Sequence, residues 1–295
     1  MIDLHIHSTH SDGTDSVSEI LKKAEDKKLE IISITDHDSI DAYFELENNP
    51  ILLSLFSGNI ITGCEFKTFY NGVSIEILGY GFDYKKIQMP KVKSEEIQAL
   101  YVEYLKTILD KYGFVYDSAE LYIDFNNPNK HFAGYVVAYE ILRHAENEEL
   151  VRKVGGFTAN DFFRTQQCDK NSIFYIDESK YYLSIDQIIE IIHNAGGLAF
   201  LAHPYIYNVA DQDDFILSII ANTNIDGLEC IYPLFSIEQR NKILEFAKKY
   251  NKFVSGGTDY HAKNKPTIEL GTGINQNVDI PSDFIREWFD KSRTL

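Results

Sequence analysis

Apolar runs in this chain repeatedly stop on a histidine or a carboxylate, and that habit restricts the fold more than any other feature. Ile31–Ile34 runs into Thr35-Asp36-His37-Asp38, and residues 59–62 run into Gly63-Cys64-Glu65. Leu198–Leu201 ends in Ala202-His203-Pro204, and residues 253–255 lead to Gly256-Gly257-Thr258-Asp259-Tyr260-His261. The first run ends on its own pair, His5-Ile6-His7, with Asp12 close behind in His10-Ser11-Asp12-Gly13. A strand's period of two puts His5 and His7 on one face, about 7 Å apart. Two imidazoles where apolar side chains belong need a reason, although an HxH pair alone is weak evidence of a metal site. In parallel α/β architectures the carboxyl ends of the strands share one rim, where active sites gather. Five polar endings of this kind are expected to meet there.

The strands are expected at residues 2–7, 30–35, 59–65, 74–80, 197–203, 227–232 and 252–258, with helix signals between them. Ser16-x-x-Glu19, Ser184-x-x-Gln187 and Ser236-x-x-Gln239 are capping boxes ahead of apolar helical patterns. Strand–helix alternation with near-continuous apolar strands predicts a parallel sheet covered by helices, and seven strands suggest a closed barrel. The alternation stops between 93 and 182, where Ser94–Tyr112 and residues 134–144 read as helical around a polar loop at 126–130. The expected layout is a barrel in two parts, 1–92 and 183–295, flanking an inserted, mostly helical subdomain at 93–182. That insertion reads either as a helical cover or as a lid that stacks part of a substrate.

Composition narrows the function. Against 28 basic residues stand 45 acidic ones, a formal charge of −17, which repels an extended polyanion but not a small phosphate ester held by cations. Cys64, Cys168 and Cys230 are far apart, so neither a zinc knuckle nor a disulfide framework is indicated. The opening MIDLHIH lacks the features of a signal peptide, and the apolar stretch near 51–61 is too short to span a bilayer. A cytoplasmic chain with no membrane, long nucleic acid or protein partner is expected.

The set IDLHIHSTHSDG, ITDHDS, GCEF, ILGYGFD, AGGLAFLAHP and SGGTDYHAKNK resembles the polymerase-and-histidinol-phosphatase (PHP) family of metal-dependent phosphoesterases. It is most similar to the branch of nucleoside 3′,5′-bisphosphate phosphatases and short-RNA exonucleases. The resemblance implies a distorted, TIM-like (β/α)7 barrel with a helical insertion, and two or three divalent metal ions at the strand ends. It implies His5, His7, Asp12, His37, Glu65, His203, Asp259 and His261 as ligands, with Glu65 bridging two ions. Mixed imidazole and carboxylate donors suit Mn²⁺, Fe²⁺ or Zn²⁺ better than Mg²⁺. Asp36 and Asp38 read either as orienters of the ligands or as caps of the next helix.

Two positions depart from the family's pattern. Relatives carry a histidine before LGY where this chain has Glu76, which either binds metal through oxygen or is an ordinary strand residue. Relatives carry Arg-Pro-His in the insertion, and here Asn129-Lys130-His131 leaves Lys130 and His131 as the candidate substrate contacts. The implied reaction is hydrolysis of a small phosphate monoester, most simply a nucleotide, by a metal-bound hydroxide. Glu65, His203 and Asp259 are the catalytic candidates. Histidinol-phosphate phosphatase, 5′-3′ exonuclease on short oligonucleotides and barrel amidohydrolase are the alternatives.

Overall fold

The computed structural model describes residues 1–295 except 90–93, 126, 128–129 and 290–293. The chain divides into two compact units, one of Met1–Met89 with Tyr182–Leu295 and one of Pro90–Tyr181. The expected boundary at 92/93, like Asn129 of the expected substrate motif, lies outside the described residues.

The larger unit is mixed α/β and contains eight strands among the described residues: β1 (Ile2–Ile6), β2 (Ile31–Ile34), β3 (Asn59–Ile60), β4 (Gly63–Tyr70), β5 (Val73–Tyr80), β6 (Leu198–Leu201), β7 (Gly227–Ile231) and β8 (Phe253–Gly256). They form two sheets, β1-β2-β3 and β4-β5-β6-β7-β8, instead of one closed seven-stranded ring. Isolated bridges Ile6↔Tyr260 and His37↔Glu65 link the sheets, but among the described residues no continuous ladder does.

The departure from an all-parallel barrel has a local cause. Asn71 and Gly72 take φ of 50° and 75°, the two left-handed positions of a tight hairpin turn, and asparagine–glycine adopts these at least cost. That turn folds β5 back on β4 in antiparallel register from Gly63↔Tyr80 to Tyr70↔Val73. β5 then also runs antiparallel to β6. The run expected at 59–65 splits into β3 and β4, so Glu65 lies near the start of β4 and not at a strand's end.

All three expected capping boxes form, at Ser16, Ser184 and Ser236, and start the helices Val17–Asp26, Ile185–Asn194 and Ile237–Lys249. The buried faces of these helices, including Ile20, Leu21, Ile188, Ile192 and Ile243, enter the main apolar core with Phe66 and Ile77 of the hairpin. A second core gathers Ile2, Leu4, Tyr80, Phe200 and Trp288. There the Trp288 indole stacks on Tyr80 with centroids 5.5 Å apart. No helix among the described residues is long and apolar enough to cross a membrane.

The smaller unit is mostly helical, with helices Ser94–Tyr112, Ala133–Arg143 and Glu148–Lys153. Phe157 packs edge to face on Phe162 and Phe174, and Phe114 and Phe162 sit tilted against Phe174. Buried Glu140 accepts hydrogen bonds from the Asp117 N–H and the Arg143 guanidinium.

Candidate metal centre

Glu65 is the hub. Its side chain is buried, and Oε2 lies 3.2 Å from His5 Nε2, 3.1 Å from His7 Nε2 and 3.3 Å from His37 Nδ1. Its other oxygen, Oε1, lies 2.9 Å from His203 Nε2. β1 supplies His5 and leads directly into His7, and their rings sit 5.2 Å apart on one face, as the period of two requires. His37 reaches the cluster through its parallel bridge to Glu65. Asp259 follows β8 and turns Oδ1 toward His7 Nε2 at 3.4 Å and His261 Nδ1 at 3.2 Å. Half-exposed Asp12 closes one side, 3.1 Å from His261 Nε2. Glu76, midway along β5, lies 3.2 Å from His203 Nε2.

All nine candidate ligands thus fall into four overlapping donor groups: His7–Asp12–His37–His261, His5–His7–Glu65, His5–His203–Asp259 and His37–Glu65–Glu76. Within each group the donor atoms lie no more than 4.8 Å apart, a spacing that would suit a shared divalent ion.

The electrostatics make the same point. Burial opposes charge on His7, but its contacts with Asp259 and Glu65 outweigh that and push its pKa up to about 9. His203 is buried too, and Glu65 and Glu76 push it up to about 10. Burial would raise Glu65 and Asp259, yet His5 and the other cations around them hold both carboxyls well below the usual range. Packed carboxylates of this kind need positive charge, which protons on the imidazoles supply when no cation is bound. His5 Nε2 and His7 Nε2 are nevertheless buried without an aligned hydrogen bond among the described residues. Buried imidazole nitrogens that face carboxylates without an aligned hydrogen bond fit a divalent metal ion well.

A surrounding layer holds these donors in place. Asp36 accepts hydrogen bonds from the Ser8 N–H at 2.7 Å and from the Ser8 and Ser11 hydroxyls at 2.6 Å each. It therefore anchors the loop that carries Asp12 and does not cap a helix. Asp38 has φ of 46° and accepts from the Lys67 N–H, and burial pushes its carboxyl up to about 6. Asp259 Oδ2, turned away from the imidazoles, accepts from Tyr232 Oη at 2.8 Å and Lys265 Nζ at 2.5 Å. Asp3 accepts hydrogen bonds from the Thr258 N–H and hydroxyl and from the Gly271 N–H. A carboxylate inside an apolar strand, as in Ile2-Asp3-Leu4 or Leu228-Glu229-Cys230, is a sequence signal for such a supporting residue, whereas Tyr232 carries none.

Lys130 and His131 belong to the smaller unit. There the Lys130 ammonium bonds to the Glu120 carbonyl and carboxylate and lies 4.5 Å from the Tyr122 ring centroid. His131 packs on Phe132.

A mixed α/β chain that gathers five imidazoles and four carboxylates in one cluster has the makings of a metal-dependent hydrolase. The PHP domain profile matches residues 3–237, and the chain belongs to the PHP domain family, as a hydrolase acting on phosphoester bonds. A 5′-3′ exoribonuclease from Haemophilus influenzae is 28% identical over 294 residues, covering 97% of both chains. A 3′,5′-nucleoside bisphosphate phosphatase from Chromobacterium violaceum is 23% identical, covering 95% of this chain and 92% of its own. The solved structure of a candidate metal-dependent phosphoesterase from Bifidobacterium adolescentis aligns with a TM-score of 0.59 at 21% identity. That alignment covers 99% of this chain and 96% of the other, and it speaks for the fold.

Proposed function

We propose that this chain hydrolyses a phosphate ester of a small nucleotide, with two or three divalent ions (Mn²⁺, Fe²⁺ or Zn²⁺) held by His5, His7, Asp12, His37, Glu65, Glu76, His203, Asp259 and His261. The observation that carries the reading is Glu65, whose two oxygens face four imidazoles spread over all four donor groups. Divalent cations held there would polarise the phosphoryl oxygens and lower the pKa of a water molecule toward neutrality.

The chain's own groups complete the reaction. Glu65 keeps neighbouring donor groups in register, and its ionised form supplies charge to more than one of them. Lys265 is the ammonium beside Asp259, suited to meet a phosphate oxygen. Where His203 is not taken up as a ligand, Glu65 and Glu76 keep its ring protonated, and it returns a proton to the leaving oxygen. Asp259, held ionised, serves as a ligand. Lys130 and His131 remain candidate substrate contacts of the inserted unit, and for Lys130 this requires release from Glu120.

Exonuclease action on short oligoribonucleotides is the second reading, favoured by the exoribonuclease relative that this chain matches along 97% of its length. The −17 charge favours short substrates in either case. The test supplies the Mn²⁺-loaded chain with a nucleoside 3′,5′-bisphosphate and, separately, a 5′-phosphorylated RNA of a few nucleotides. Release of inorganic phosphate from the first is the expected outcome. Mononucleotides released from the second, with no phosphate from the first, would favour the exonuclease, and no hydrolysis of either would contradict the nucleotide assignment.

A further inference from the structure

Glu229 has no place in the ligand set, yet it is as fully enclosed as any carboxylate near it. It lies in the middle of β7 with no solvent exposure, where parallel pairing to β8 sets Glu229 opposite Ser255. Apolar residues flank it along the strand, so an ionised side chain there needs strong partners. It has two, and both lead to the metal-binding cluster. Oε1 accepts a hydrogen bond from His5 Nδ1 at 2.9 Å, and Oε2 accepts one from the His203 backbone N–H at 2.6 Å.

Each bond decides something about a candidate ligand. A proton held on His5 Nδ1 leaves Nε2 as the lone-pair nitrogen, and Nε2 is the atom facing Glu65 and Asp259, at 3.2 and 3.6 Å. A carboxylate behind an imidazole also makes the ring a stronger donor to a metal. At His203 the backbone has φ of 25° and ψ of 57°, a conformation a side-chain-bearing residue adopts only when its surroundings compel it. The 2.6 Å bond from its N–H is one of the constraints that hold it there.

We infer that Glu229 is the positioning residue of the centre: one buried carboxylate sets the His5 tautomer and, through the backbone, the placement of His203. The inference rests on the reading of the cluster as a metal centre. Glutamine in its place keeps the volume but offers a single acceptor oxygen, so one of the two bonds is lost.

The experiment has two arms, both on the full chain. In the first, Mn²⁺ binding to wild type and Glu229→Gln is measured by titration, with circular dichroism recorded on the metal-free proteins. The expected result is a native spectrum with Mn²⁺ affinity weakened about 10- to 100-fold. An affinity within threefold of wild type overturns the inference and leaves the metal centre standing, whereas absence of Mn²⁺ binding by wild type overturns both. The second arm needs no variant to fold. Imidazole ¹⁵N spectra of wild type loaded with ¹¹³Cd²⁺ should give His5 a protonated Nδ1 and a cadmium-coupled Nε2. A proton on Nε2 overturns the inference.

Discussion

In the proposed centre, Glu65 and Glu76 decide how many ions the cluster would hold. Removing Glu65 takes away the oxygens that face His5, His7, His37 and His203 at 2.9–3.3 Å, so its loss should unseat more than one ion. Glu65→Ala is expected to retain less than a tenth of kcat, a deficit above about 1.4 kcal/mol, with metal content reduced by elemental analysis. A variant keeping more than that would remove Glu65 from the bridging role. The Glu76 carboxylate lies 3.2 Å from His203 and, less closely at 3.9 Å, from His37. Glu76→Ala should therefore give up one ion while Glu76→His keeps it, a difference visible by anomalous scattering at the metal edge. Equal metal occupancy in Glu76→Ala and wild type would make Glu76 an ordinary strand residue. Candidate donors at strand ends, such as His203 in Ala202-His203-Pro204, are legible in the sequence itself, whereas Glu76, midway along β5, is a candidate only through the family resemblance. Glu229 stands out as a carboxylate in an apolar strand, but its pairing with His5 is not legible, since that bond spans 224 positions and depends on a strand register that local sequence does not reveal.

Among the elements, the approach of β8 to β1 determines where His5 and Asp259 meet. Gly257 sits at that contact, and a Cβ there would come within 2.4 Å of His5 N and Cβ. Since the neighbour is backbone, something must shift. Gly257→Ala is expected to destabilise the metal-free chain by about 1–3 kcal/mol and to lower its metal affinity, measured by denaturant unfolding and by Mn²⁺ titration. Unchanged stability and affinity would show that the strands can part without cost to the site. Three helix starts were readable because a capping box is a local signal, satisfied within four residues. The hairpin was readable too, in Asn71-Gly72, but the strand–helix rhythm around it favoured parallel pairing. That choice is why a closed seven-stranded barrel was expected where two sheets occur.

At the scale of the whole molecule, an acidic chain of formal charge −17 concentrates its most tightly packed carboxylates around histidines. Protons and metal ions therefore compete for the same place. With no cation bound, His7 and His203 titrate near 9 and 10, above their ordinary value of 6.5. Their stabilising contribution is thus complete below about pH 6.5 and fades as pH rises through 9 and 10. A metal ion that takes these nitrogens at pH 7 must expel their protons, so metal affinity should rise with pH over the same interval. The most direct test of the account is a titration of the chelator-treated chain with Mn²⁺ at pH 7 in weak buffer, recording bound metal and released protons together. At least two ions per chain, net proton release, and phosphoester hydrolysis that appears with the metal and vanishes on chelation are the expected results. Fewer than one ion per chain, with no protons released, would contradict the account.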